Sequence, residues 1–162
     1  MQNDWAYNEL WRTPLWDTRC RTTLVLACQQ LAQQAQVSFS RALGSRRKAV
    51  SHILHHKDTT ATELLSGHVH ATAVRCQAEP LVLIASDTTT CNFTTHKAVT
   101  GLGPISDKEY QQGFFVHSAL ALSTQGVPLG LLHQQSWVRD PETFGTAKQR
   151  RKRTFAEKES YK

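Results

Sequence analysis

No apolar run in this sequence of 162 residues approaches the roughly 20 residues that a membrane-spanning helix needs. The N-terminal residues also lack the basic and apolar regions of a signal peptide. The four cysteines show no C-x-x-C spacing, which argues against a zinc site and against a disulfide framework. These absences together predict a soluble protein of the cytoplasm with reduced thiols and no membrane partner.

Several signatures of enzymes are missing as well. No G-x-S-x-G segment marks a serine hydrolase. The segment Gly101–Pro104 lacks the spacing and the Lys-Ser/Thr pair of a phosphate-binding P-loop, so it is interpreted as a turn. His52, His55 and His56 cluster, but no cysteine or acid has metal-ligand spacing to them. They are interpreted as histidines on the polar face of a helix, where they could touch phosphate.

What the sequence does contain is enough apolar content for a core and an uneven positive charge. Apolar residues make up 40%, which argues against global disorder, and the net charge is +6. Residues 1–70 hold eight Lys and Arg against five Asp and Glu, residues 71–140 four against five, and the last 22 residues seven against three. Two basic flanks indicate a polyanionic partner, most commonly nucleic acid. The alternative is a solvated charge run that keeps the protein soluble.

The first 78 residues have helical periodicity. Apolar spacing predicts three helices, over residues 18–36, 45–55 and 60–77. Asp17 is the expected N-cap of the first, and Thr60 with Glu63 forms the capping box of the third. The second helix begins with the run Arg46-Arg47-Lys48, which has the unfavourable sign for a helix N-terminus and favours a phosphate nearby.

From residue 81 the pattern becomes strand-like. Leu81–Ser86 is a short apolar run, which predicts a strand buried on both faces. Phe114–Leu122 and Val127–Val138 flank the turn Ser123–Gly126, which predicts a β-hairpin after a long loop over residues 88–112. The chain is therefore expected to be α+β, with a small helical domain over residues 1–78 and a sheet domain over residues 79–162.

The residue that follows the first predicted strand is an acid. Asp87 comes directly behind the apolar run and precedes the hydroxyls of Thr88 and Thr89. A carboxylate at the end of a buried strand is typical of the first metal ligand in a nuclease core. It is also typical of an Asx-turn that closes a strand, and the local sequence leaves both alternatives open. One carboxylate alone cannot hold the two metal ions of such a reaction.

Five short blocks follow one another in the second half of the sequence. They are Ile84–Thr89, Gly101–Ile105, Gly113–Ser118, Pro128–Pro141 and Glu157–Ser160. In order and spacing they resemble the front half of bacterial insertion-sequence DDE transposases of the Tn-five type. In the first half, Trp16-Asp17-Thr18-Arg19 resembles the segment with which the DNA-binding helices of that family begin.

The resemblance implies an N-terminal helical module that binds DNA at transposon ends, followed by the first strands of a ribonuclease-H-like core. The residues expected to contact DNA are Arg19, Arg21, Arg41, Arg46, Arg47, Lys48 and His52. Asp87 would be the first acid of the catalytic triad and a ligand of Mg²⁺ in the complete enzyme. The family's second Asp and its Glu have no match in these residues, so this chain alone is expected not to cut DNA.

The expectation from the sequence is thus a truncated transposase that binds transposon ends in the bacterial nucleoid. It would act as a dimer or in association with intact transposase. Two alternatives remain open at this point. One is a regulatory chain that inhibits transposition by binding DNA or a partner, and the other is a remnant without function.

Overall fold

The computed structural model describes residues 4–108, 110–143, 152–154 and 157, and within them the chain is α+β. The helices are α1 (Trp5–Leu10), α2 (Thr18–Gln33), α3 (Phe39–Leu43), α4 (Arg47–Leu54) and α5 (Ala61–Gln77). The strands are β1 (Val82–Asn92), β2 (Gly103–Pro104), β3 (Gln112–Ser123) and β4 (Pro128–Trp137). The predicted α+β class is confirmed. Most of the basic run Lys148–Arg153 and of the block Glu157–Ser160 lies outside the described residues.

The capping signals in the sequence correctly located the starts of two helices. The Asp17 carboxylate accepts a hydrogen bond from the backbone N–H of Arg19 at 2.7 Å and caps α2. Thr60 and Glu63 form both bonds of the capping box ahead of α5. Helix α2 ends at Gln33, three residues before the predicted end at residue 36. Residues 34–36 are exposed, so no packing contact stabilises a further helical turn there.

Two compact units make up the chain. The first comprises residues 1–85 and 119–133, and the second comprises residues 86–118 and 134–162. In the first unit, helices α2, α3 and α4 share a small core of Ala27, Leu43 and Val50, against which Leu31 packs. In the second unit, the buried ring of Phe115 stacks on Trp137, with centroids 5.6 Å apart.

A polar network connects α1, α5 and the start of β4 within the first unit. Glu9 on α1 pairs with Arg75, and its Oε2 lies 2.6 Å from His68 Nδ1. Arg75 donates to the carbonyl of Leu129 at 2.6 Å, and His68 Nε2 accepts from the N–H of Leu131 at 3.0 Å. Burial raises the pKa of Glu9, but hydrogen bonds from Arg75 and His68 outweigh it, so the pKa lies below its usual value.

The sheet departs from the sequence expectation at β1. This strand runs to Asn92 instead of ending near Ser86, and nearly all of its residues are exposed. The predicted burial on both faces is therefore wrong, because no described element covers the faces of this strand. The predicted loop over residues 88–112 is also interrupted, since residues 88–92 belong to β1 and residues 103–104 form β2, which pairs antiparallel with β3.

The pairing of β1 with β3 fixes which residues face each other. The N–H of Phe93 donates to the carbonyl of Gln112 at 2.8 Å, and Thr88 Oγ1 lies 2.9 Å from His117 Nδ1. Moving from Phe93 back to Thr88 on β1 corresponds to moving from Gln112 forward to His117 on β3. The two strands are therefore antiparallel. The predicted hairpin of β3 and β4 is confirmed, and its turn contains Gly126 with φ of 79°.

Candidate nucleic-acid interface

The segment from Thr18 to Lys57, which contains α2, α3 and α4, has cations and no acid. It has no Asp or Glu, and its seven Lys and Arg residues are Arg19, Arg21, Arg41, Arg46, Arg47, Lys48 and Lys57. Residues 1–70 as a whole contain five acids, and all five lie outside this segment. An excess of positive charge over three consecutive helices attracts a polyanion. The carboxylates of Asp4, Asp17 and Asp58 lie against this segment and offset part of its charge.

Helices α2 and α4 lie antiparallel, which places the start of one beside the end of the other. Arg46, just before α4, donates to Gln30 near the C-terminal end of α2 at 2.9 Å. At the opposite end of α4, the ring of His52 meets the ring of Trp16, two residues before α2, with centroids 6.2 Å apart. The buried side of α4 is formed by Val50 and Ile53, and this leaves its polar side exposed.

The first turn of α2 carries two of the expected DNA contacts, and both have partners within the protein. The guanidinium of Arg19 bonds the Asp17 carboxylate at 2.8 and 3.0 Å, although 92% of the Arg19 side chain is exposed. Hydrogen bonds from Arg19 lower the pKa of Asp17. Arg21 lies over the ring of Trp11 at 5.3 Å and donates to Thr18 at 3.0 Å. A phosphate that binds Arg19 would therefore compete with the carboxylate of Asp17, the N-cap of α2, for the same guanidinium.

The run Arg46–Lys48 is arranged differently from the sequence expectation. A 3₁₀ turn over Gly44–Arg46 leads directly into α4, and the N–H of Arg47 bonds the carbonyl of Gly44. The start of α4 is thus not a free helix N-terminus. Arg47 and Lys48 are exposed, whereas Arg46 is half-buried against α2. Contact of Arg47 and Lys48 with phosphate would rest on their side-chain charge more than on backbone N–H groups.

The two remaining expected DNA contacts are both exposed. Arg41 lies on α3. His52 lies one helical turn after Lys48 on α4, so these two side chains share a face of that helix. His52 forms a ring cluster with Trp16 and His56 that the sequence alone did not indicate. The seven residues are thus distributed over three packed helices and the 3₁₀ turn that joins two of them.

Asp87 belongs to the second unit and lies inside β1, not behind it. Its side chain is exposed, and in the register of β1 and β3 its cross-strand neighbour is Ser118. The hydroxyl of Ser118 accepts a hydrogen bond from Gln134 of β4 at 3.1 Å. Asp87, Ser118 and Gln134 therefore form a polar row across three strands. The Asx-turn alternative does not apply, because Asp87 is in extended backbone.

Asp87 is the only charged member of the polar row that it forms with Ser118 and Gln134. Nowhere in the described ranges do three His, Cys, Asp or Glu side chains come close enough to hold a metal ion. Mg²⁺ is bound in proteins through one or two carboxylates, with waters and substrate phosphates completing its octahedral shell. Asp87 supplies one carboxylate, and Ser118 and Gln134 are neutral. No reaction step through a metal follows from this arrangement.

The sequence matches none of the models of known protein families against which it was scanned. Within the described part of the chain, no helix is long and apolar enough to cross a membrane.

Proposed function

We propose that the helical module of this chain binds DNA and that the chain is related to insertion-sequence transposases, whose element ends it recognises. The observation that carries the proposal is the acid-free segment from Thr18 to Lys57, which contains three packed helices and seven cations, five of them on those helices. A segment that only kept the protein soluble would have both signs of charge mixed on its surface. The excess of positive charge within this segment favours a phosphate backbone.

The geometry of α4 supports the same proposal. Arg47, Lys48 and His52 are exposed on one short helix whose opposite side packs in the core. Their backbone positions are therefore held by the fold, and phosphate contacts made from fixed positions can set the register of a helix on DNA. Arg46 contributes by anchoring the start of this helix to Gln30 of α2.

For the second unit we propose a ribonuclease-H-like relationship, with Asp87 as the counterpart of the family's first catalytic acid. This part rests on the five sequence blocks and on the exposed position of Asp87 on β1. The role proposed for this chain is binding, either of DNA through the cations of the helical module or of intact transposase as a partner. A chain that occupies element ends without cutting them would inhibit transposition.

Neutralising two cations of α4 tests the DNA-binding proposal. In the double variant Arg47→Gln/Lys48→Gln, we expect weaker binding to a 30-base-pair duplex. The slope of log affinity against log salt should flatten by up to about 1.8, because each lost phosphate contact removes about 0.9. Fluorescence anisotropy over a range of salt concentrations measures this slope. The matched control is Lys97→Gln/Lys108→Gln, which removes the same charge from the second unit. Equal changes in both variants would show that only net charge matters.

Changing the acid of β1 separates binding from chemistry. We expect Asp87→Asn to leave the DNA affinity unchanged and the free energy of unfolding within about 0.5 kcal/mol, because the side chain is exposed. We also expect no strand cleavage by the unaltered chain with Mg²⁺ or Mn²⁺, measured on labelled duplex. Cleavage that disappears in Asp87→Asn would contradict the proposed binding-only role.

A further inference from the structure

Three aromatic rings cluster on the surface of the helical module, where the end of α4 meets the start of α2. The ring of His56 stacks on the indole of Trp16, with centroids 3.7 Å apart and planes 18° apart. His52 lies edge-on to both rings, 6.2 Å from Trp16 and 5.9 Å from His56. Trp16 is nevertheless 43% exposed. The indole of Trp16 therefore stacks on His56 and still keeps a large part of its surface accessible to solvent.

The position of the His56 ring is fixed by its neighbours. Its Nδ1 accepts from the backbone N–H of Asp58 at 3.3 Å, and the Asp58 carboxylate lies 3.8 Å away. Stacking with His56 therefore covers one face of the Trp16 indole, while part of the indole stays accessible to a ligand. The core of the module is formed by Ala27, Leu43 and Val50, so the cluster is not part of it.

Both signs of charge occur near the cluster, since the Asp58 carboxylate lies 3.8 Å from His56 Nδ1 and Lys48 is on α4. Lys48 lies one helical turn before His52 on the same exposed face of α4. A ring-binding surface with a cation one helical turn away matches a nucleotide, whose base stacks while its phosphate meets the charge. A base within a paired duplex cannot reach such a surface, because both of its faces are already stacked.

We infer that Trp16, with His52 and His56, is a stacking site for an unpaired base of DNA. The inference rests on the proposed DNA-binding function and adds a preference for single-stranded or frayed DNA at one position of the module. Stacking on an aromatic side chain depends little on which base is presented, so the site adds affinity without sequence specificity.

The test compares a 12-nucleotide oligothymidine with a fully paired 30-base-pair duplex. We expect Trp16→Leu, which keeps apolar bulk and removes the ring, to weaken binding of the single strand about tenfold. Duplex affinity should change less than twofold, and Trp16→Phe should restore most single-strand affinity. The control is Trp5→Ala, which removes a tryptophan of similar exposure on α1. Equal losses for both DNAs, or no loss for either, would overturn the stacking site.

A second measurement uses the unaltered protein. A single strand containing 5-iododeoxyuridine is irradiated with the protein, and the crosslinked residue is identified by mass spectrometry. Crosslinking at Trp16 is the expected result, and crosslinking only at other aromatic residues would contradict it. If neither the duplex nor the single strand binds, the proposed function itself fails. If the duplex binds with the expected salt dependence and Trp16 is neither crosslinked nor required, only the stacking site fails.

Discussion

Replacing Gly130 by alanine is expected to destabilise the first unit by about 4 kcal/mol, through backbone strain and overpacking together. Gly130 has φ of 134°, a backbone conformation that residues other than glycine rarely adopt. A Cβ at this position would overlap the hydroxyl of the buried Thr72 and lie 2.9 Å from Arg75 Nη2. Neither group can move easily, because Arg75 is bonded to Glu9 and Thr72 donates to the carbonyl of His68 at 2.9 Å.

The matched control for this substitution is Gly126→Ala in the hairpin turn. Gly126 also has a positive φ, of 79°, but a Cβ there would meet nothing within 4 Å. Only the strain remains in that variant, which amounts to about 1 kcal/mol. Urea unfolding followed by circular dichroism gives both free energies of unfolding. Equal losses would mean that the close approach of β4 to α5 does not constrain the fold.

The helices show how far local sequence signals reach. Asp17, Thr60 and Glu63 located two helix starts because a cap is a contact between residues at most three apart in sequence. Helices α1 and α3, with six and five residues, were missed because they are too short to show a helical period. Their stability comes from packing, for example of the buried Ala6 and Leu43.

Strand β1 shows where local signals are insufficient. The run Leu81–Ser86 indicated a short buried strand, but the backbone stays extended through Thr88, Thr89 and Thr90. Threonine is β-branched and favours extended backbone, so the loss of apolar character after Ser86 was not the end of the strand. Pairing with β3, about 30 residues away in sequence, supplies hydrogen bonds that no local pattern could indicate.

The candidate interface was predictable in its charges but not in its geometry. The sequence alone indicates the seven residues that are expected to contact DNA, and their contact with DNA stays a prediction. What the sequence could not show is that Arg19 is paired with Asp17, that Arg46 is held by Gln30, and that His52 meets Trp16. Each of these depends on a side-chain orientation or on the antiparallel packing of α2 against α4.

Low pH is expected to reduce the free energy of unfolding of the first unit, because Glu9 becomes protonated. Its pKa is raised by burial but lowered more by Arg75 and His68, so the net shift is downward from the usual 4.5. A lowered pKa in the folded state means that the carboxylate contributes stability above the pKa of the unfolded chain. That contribution is lost as the pH falls below about 4.5 and through the folded pKa.

Glu9→Gln should remove this contribution at neutral pH, because an amide cannot replace a carboxylate that pairs with both Arg75 and His68. We expect a loss of about 2–3 kcal/mol at pH 7, since only 19% of the Glu9 side chain is exposed and the charge of Arg75 loses its partner. The loss should shrink as the pH falls through the folded pKa of Glu9, because the carboxyl of the unaltered protein then becomes protonated as well. Urea unfolding at a series of pH values measures both trends.

The control for the Glu9 experiment is Asp17→Asn, which breaks a carboxylate–arginine pair on the surface. Asparagine remains a good N-cap for α2, and Arg19 is almost fully exposed, so little stability should be lost at any pH. A loss in Glu9→Gln that is independent of pH would mean that its side chain acts through packing and not through charge. Because Glu9 and Arg75 join α1 to α5 and, through Leu129, to β4, the pH dependence reports on how firmly these three elements are held together.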